Sequence, residues 1–228
     1  MPGMIPVVLT DNGIFASGLR RCRWGRQQVQ QDRIDRMFSF AHIPAAYADA
    51  EWSDYRMTDD NRPAVDAAHW VIAEPKKGLY IYGSRGSGKT MLAAIIAREK
   101  AKAGQAVLFE SVPDLLMDIR ESFRTDKTAE IVETARTVPC LVLDDMGAER
   151  MSEWVGEELF TLINYRYNNK LQTIITSNCT ISELQEKMVT VSRDGAVDNL
   201  QGQRIGSRIF GMCKPVRLNG YDWRKVKE

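Results

Sequence analysis

The residues Gly83-Ser84-Arg85-Gly86-Ser87-Gly88-Lys89-Thr90 fit G-x-x-x-x-G-K-[ST] at every fixed position. Glycines at these places let the backbone curl with its N–H groups turned inward, which makes an anion cradle. In that arrangement Lys89 reaches the β- and γ-phosphates of a nucleoside triphosphate and the Thr90 hydroxyl binds Mg²⁺. Met91 follows directly and completes the candidate nucleotide-binding set, Gly83 to Met91. A plain Gly/Ser turn ahead of a capped helix is the competing reading. The flanks argue against it: the apolar, aromatic run Leu79-Tyr80-Ile81-Tyr82 reads as a buried strand, and Met91 to Ala97 reads as a helix. A helix N-terminus there adds favourable partial charge for phosphate.

A second chemical cluster follows. Cys140-Leu141-Val142-Leu143 is a buried strand ending in Asp144-Asp145, which sets two carboxylates at the edge where open α/β sheets bind ligands. Asp144 is the candidate Mg²⁺ holder, and Asp145 the group that orients or deprotonates an attacking water. An Asp-Asp turn after a strand is the plainer alternative. Thr176-Ser177-Asn178 closes the next strand, so that the Asn178 amide faces the γ-phosphate or else caps the helix that follows. Arg204 and Arg208 lie one helical turn apart and share a face. In a ring or filament such an arginine enters a neighbour's site and stabilises phosphoryl-transfer charge.

These groups must be held by an alternating framework. Helix Ala64–Ala73 precedes the first strand. Strands follow at 106–109, 140–143, 173–176 and 215–218, separated by helices from Pro113, at 128–136, 153–168, 181–188 and 204–210, with a polar loop at 189–203. Alternation of this kind predicts an α/β fold with a parallel sheet covered on both faces. The first 40 residues differ. They are rich in arginine and glutamine, and Arg23 to Phe38 is expected to form a basic helix.

The chain has 228 residues, 44% hydrophobic and 27% charged, which is globular composition for one domain with a short extension. A formal net charge of +1 makes no global case for nucleic-acid binding, so any such surface must be local. None of Cys22, Cys140, Cys179 and Cys213 forms a C-x-x-C pair, which points to neither zinc nor a disulfide framework. No apolar run is long enough to span a bilayer and no signal peptide is evident, so a cytoplasmic protein without a membrane partner is expected.

The ordered series GSRGSGKT, LVLDDMGAE, LFTLINYRY, TSN, RIGSRIFG and VRLNGYDWR, with the lead-in Ile43-Pro44-Ala45-Ala46-Tyr47, resembles the AAA+ bacterial replicative helicase loaders of the DnaC/DnaI type. The resemblance covers roughly residues 40 to 226, and the later motifs are more specific than the phosphate loop. It implies an AAA+ P-loop core with a five-stranded parallel sheet over residues 41–228. It also implies that residues 1–40 are a short partner-docking extension. Carried over by position, Lys89, Thr90 and Asp144 are nucleotide and Mg²⁺ residues, Asp145 is the catalytic acid, Asn178 is the first sensor and Arg208 is the arginine finger. The helical insertion between the nucleotide motifs ends near Phe123 and Arg124, implied to stack on and pair with single-stranded DNA, although core packing explains Phe123 equally well. No helical lid is expected after the last strand, and Trp223 and Arg224 are expected to pack the C-terminus.

The implied activity is slow ATP hydrolysis, stimulated by DNA or a partner. The partners are a replicative helicase hexamer, single-stranded DNA and further copies of the chain joined through the ATP site. IstB-like transposase-helper ATPases share the core and bind double-stranded DNA. A P-loop small-molecule kinase and a non-catalytic adaptor are further alternatives, and the TSN and paired-arginine series argues against the kinase.

Overall fold

The computed structural model describes residues 4–11, 14–21, 36–38, 40–122, 128–149, 151–191, 197–220 and 222–223. Two short strands open it, β1 (Met4–Asp11) and β2 (Ile14–Arg21). They pair antiparallel with Asp11 opposite Ile14, so Asn12-Gly13 is the two-residue connection. Asn-Gly between apolar runs is a strong hairpin signal, because both residues tolerate the left-handed backbone that tight turns require. No strand is expected in this extension from its arginine- and glutamine-rich composition. Of the expected basic helix Arg23–Phe38, only residues 36–38 are described, and they are helical; the rest lies outside the described residues.

The remaining elements are α1 (Arg62–Ala73), β3 (Gly78–Tyr82), α2 (Lys89–Lys102), β4 (Val107–Ser111), α3 (Val112–Ser122), α4 (Thr128–Thr137), β5 (Cys140–Met146), α5 (Glu153–Asn168), β6 (Gln172–Ser177), α6 (Ile181–Lys187), β7 (Thr190–Val191), β8 (Val197–Asp198), α7 (Leu200–Met212) and β9 (Cys213–Arg217). Five strands form one parallel sheet in the order β4-β5-β6-β3-β9. The polar stretch 189–203 was expected as loop. It instead pairs Thr190–Val191 with Val197–Asp198 and starts α7 at Leu200, four residues before the expected start; Gly202 extends the inward face that Ile205, Gly206 and Ile209 define.

The sheet residues alternate between two cores, as a sheet buried on both sides requires. Leu79, Ile81, Val107, Phe109, Cys140, Val142 and Ile174 pack against α1 and α2. Tyr80, Leu108, Leu141, Leu143 and Ile175 pack against α3, α4, α5, α6 and α7. Helix α2 carries the phosphate loop on its N-terminus and is buried along Leu92 to Ala97, so the loop stands on one of the best-packed elements.

Arg166 on α5 is fully buried. Its guanidinium donates to the carbonyls of Ala135, Arg136 and Val138 at the end of α4, to the Gln172 carbonyl and to Thr173 Oγ1. These bonds satisfy carbonyls that a helix end leaves without partners. Burial lowers its pKa to about 10, which leaves it charged at neutral pH. Cys140, Cys179 and Cys213 are free thiols inside the core. Among the described residues, no helix is long and apolar enough to cross a membrane.

Candidate functional site

The phosphate loop joins the end of β3 to α2. Gly86 (φ +76°) and Gly88 (φ +93°) hold left-handed backbone that side chains disfavour, and Gly88 is the residue that caps α2. A Cβ on Gly86 would overlap the Asp222 carboxylate, and one on Gly88 would meet the Tyr55 ring at 3.4 Å. The glycines therefore serve close approach as well as curvature. Ser87 Oγ donates to the Ser84 carbonyl at 2.8 Å and ties the loop across its own width.

Lys89 is 5% exposed and folds back over the loop. Its Nζ donates to the carbonyls of Gly83 (3.0 Å) and Ser84 (2.8 Å) and to Asn178 Oδ1 (2.9 Å). The two residues picked out from distant motifs thus meet directly. Thr90 Oγ1 donates to Asp144 Oδ2 at 3.1 Å, joining the start of α2 to the end of β5. Thr176 Oγ1 donates to the other oxygen, Asp144 Oδ1, at 2.5 Å, and accepts the Asp145 N–H at 3.0 Å. Burial pushes the Asp144 carboxyl above the usual range; the Thr176 hydrogen bond opposes this and the Asp145 charge adds to it.

Asp145 adopts left-handed backbone (φ +57°), uncommon for a residue with a side chain. The turn it begins is pinned on several sides. Ala148 N–H donates to the Asp145 carbonyl, Gly147 N–H to the Glu149 carboxylate, and Lys187 of α6 to the Gly147 carbonyl. Ser177 Oγ donates to the Met146 carbonyl at 2.6 Å. Strain of this sort persists only where the surroundings over-determine it.

A cavity of about 600 Å³ opens beside this cluster. Arg85, Gly86, Gly88, Lys89, Thr90 and Met91 line it together with Asp145 and Asn178. Tyr47, Tyr55 and Trp223 add aromatic rings to the same lining. Trp223 N–H donates to the Gly86 carbonyl at 3.2 Å, and the Arg56 guanidinium lies 5.0 Å from the centre of its ring. Phosphate-binding groups and aromatic faces in one cavity suit a nucleotide. Trp223, expected only to pack the C-terminus, lines the cavity, and Thr176 lies beside Asn178 in the TSN motif without a local signal of its role.

The donor set fits Mg²⁺. The Thr90 hydroxyl and the Asp144 carboxylate are hard oxygen ligands within hydrogen-bond distance of each other. Among the described residues, no group of three or more His, Cys, Asp or Glu side chains is gathered for a metal.

Arg208 lies elsewhere. Its Nε donates to Asn164 Oδ1 at 2.6 Å, its Nη1 donates to the Arg204 carbonyl, and its guanidinium stacks 4.8 Å from the Phe160 ring centre. Arg204 leans on the same ring. Neither arginine lines the cavity. Phe123, Arg124 and Arg224 lie outside the described residues.

The chain is similar to several known proteins. The replicative helicase loader DnaI of Bacillus subtilis (strain 168) is 34% identical over 149 residues, covering 65% of this chain and 48% of that protein. The chain therefore spans about half the length of that relative. A crystal structure of DnaI superposes with a TM-score of 0.68 at 32% identity, covering 82% of this chain and 98% of that one. The crystal structure of the DnaC helicase loader gives 0.66 at 27% identity over 77% of this chain and 99% of that one. Residues 20–226 match the family described as IstB-like ATP binding protein. With the match spanning most of its length, the chain belongs to the IstB-like ATP-binding protein family, on an AAA+ P-loop fold.

Proposed function

We propose that this chain is an ATPase that loads a replicative helicase onto single-stranded DNA, with hydrolysis triggering its release. The observation that carries the ATPase part is the convergence of Lys89, Thr90, Asp144, Asp145 and Asn178 beside one cavity. On nucleotide binding, Lys89 exchanges its carbonyl and amide partners for the β- and γ-phosphates. The backbone N–H groups from Gly86 to Met91 cradle the phosphates, and the base lies toward Tyr47, Tyr55 and Trp223. Thr90 and Asp144 hold Mg²⁺, which supplies charge neutralisation on the phosphates when bound. Asp145 orients the attacking water and takes its proton, and Asn178 positions the γ-phosphate. Catalysis of this kind is positioning and electrostatics.

Arg208 is assigned to the nucleotide site of an adjacent copy, because its own cavity does not include it. Nucleotide then controls self-association. Residues 1–40 are assigned to partner docking, Phe123 and Arg124 to single-stranded DNA, and the protein to the cytoplasm. The names and coverage of the DnaI and DnaC relatives support the loader reading.

The family match supports a second reading, a transposase-helper ATPase on double-stranded DNA. One experiment separates the two. The protein is mixed with the replicative helicase or with an IS21-type transposase of its own source, and the complexes are sized with and without ATP. An ATP-dependent complex with the helicase supports the loader. A complex with the transposase alone replaces it with the second reading.

A further inference from the structure

We propose that Thr176 is a positioning residue for the hydrolytic acid pair, acting through a bulge that turns Asp145 toward the cavity and Asp144 toward Thr90; this rests on the ATPase reading above. The register of the two central strands carries the argument. Leu143 pairs with Ile175, and the next pair is Met146 with Ser177. Two residues of β5, Asp144 and Asp145, therefore face one residue of β6, Thr176. Two against one is a β-bulge, a device that re-aims side chains beside active sites.

A bulge interrupts the ladder and leaves backbone groups to be satisfied in another way. Here the Asp145 N–H is taken up by the Thr176 hydroxyl at 3.0 Å. The same hydroxyl donates its proton to Asp144 Oδ1 at 2.5 Å. The direction of both bonds is forced. A backbone N–H only donates and an ionised carboxylate only accepts, while a hydroxyl has one proton to give and lone pairs to receive. Thr176 is 0% exposed, so water does not substitute for it.

One buried hydroxyl thus fixes two things at once. It sets the rotation of the Asp144 carboxylate, leaving Oδ2 for Thr90 and the metal side. It also holds the backbone of Asp145 in its left-handed state, which decides where that side chain points. Valine has the same shape as threonine without the hydroxyl. At this position it leaves a buried N–H unpaired and frees the carboxylate to rotate.

The test compares Thr176→Val, Thr176→Ser and Thr176→Cys with the parent chain. Three quantities are read: kcat for ATP in the assembled complex, the gain in affinity for a non-hydrolysable ATP analogue on adding Mg²⁺, and amide hydrogen exchange over residues 141–147 in nucleotide-free protein. The expected result for Thr176→Val is a fall in kcat of about 10²-fold. The Mg²⁺-linked gain is lost, exchange over 141–147 is faster, and affinity for the analogue without Mg²⁺ is unchanged. Thr176→Ser restores kcat and the Mg²⁺-linked gain to within about threefold, because it restores the hydroxyl. If Thr176→Val does not fold, the pair Thr176→Ser and Thr176→Cys decides the matter, since a thiol is a weak donor and acceptor. Parent-like kcat and Mg²⁺-linked gain in Thr176→Val, or equal behaviour of the serine and cysteine variants, overturns the proposal. A parent chain that binds nucleotide but hydrolyses none overturns the ATPase reading instead, and the Mg²⁺-linked gain and the exchange then decide for or against Thr176.

Discussion

The phosphate-loop half of the site and the arginine face of α7 are built in opposite ways. In the first, Lys89, Thr90, Asp144 and the Asp145 backbone are tied to one another and to β6 by hydrogen bonds within the chain, mostly out of contact with water. In the second, Arg208 lies at the surface on Asn164 and Phe160, and the neighbouring Phe210 is 66% exposed. Apart from Lys89, which exchanges partners on nucleotide binding, the first half is preorganised, so that reorganisation during reaction is small. The second is held by contacts that water or another protein surface replaces at little cost. On the proposed function, the contrast separates what one chain completes from what it leaves for a neighbour.

Removing the arginine tests that division most severely. Arg208→Ala is expected to lower hydrolysis in the assembled complex by about 10³-fold while leaving nucleotide affinity of the isolated chain within about twofold. Assembly-dependent turnover and binding of a fluorescent nucleotide measure the two sides. Normal turnover in the assembled variant removes Arg208 from catalysis and collapses the contrast. Lys89→Ala probes the other half and is expected to weaken nucleotide binding about 100-fold, equivalent to about 2.8 kcal/mol. Titration of the isolated chain measures it, since this half needs no partner. Retained affinity would mean that the Lys89 side of the cavity is not the phosphate seat.

How far the sequence discloses these two halves differs for a physical reason. The phosphate loop needs particular residues at fixed spacing because backbone curvature and ligand reach are local, so Gly83 to Thr90 is readable without a structure. The alternation of strands and helices follows from periodicity, and most element boundaries fall within a few residues of the expected ones. Contacts made across the sheet leave no local pattern. Thr176 looks like any strand threonine until its bulged neighbour is seen, and Trp223 becomes a cavity wall only through its bond to Gly86. The arginines show the same limit. Arg166, Arg204 and Arg208 all sit on amphipathic helices, yet Arg166 is a fully buried clasp for α4 while the other two face outward. The β1–β2 hairpin has a local signal, Asn12-Gly13 between apolar runs, that the arginine-rich composition of the extension obscures.

The smallest expected effect sharpens the comparison furthest. If Arg208 must leave Asn164 to serve a neighbour, the bond between them is a cost that assembly has to meet. The bond is short at 2.6 Å, but the arginine is partly exposed and its Phe160 stacking and Arg204 carbonyl contact survive without it. A net value near 0.7 kcal/mol is therefore reasonable, within the usual range for an intramolecular hydrogen bond. Asn164→Ala is expected to raise the population of released Arg208 and tighten ATP-dependent self-association by about threefold. Nucleotide affinity of the isolated chain should not change, because Asn164 does not line the cavity. Sedimentation with and without ATP measures the shift. Weaker association in Asn164→Ala would instead make the Asn164–Arg208 pair a unit that meets the neighbour intact, and the arginine face would then be as preorganised as the phosphate loop.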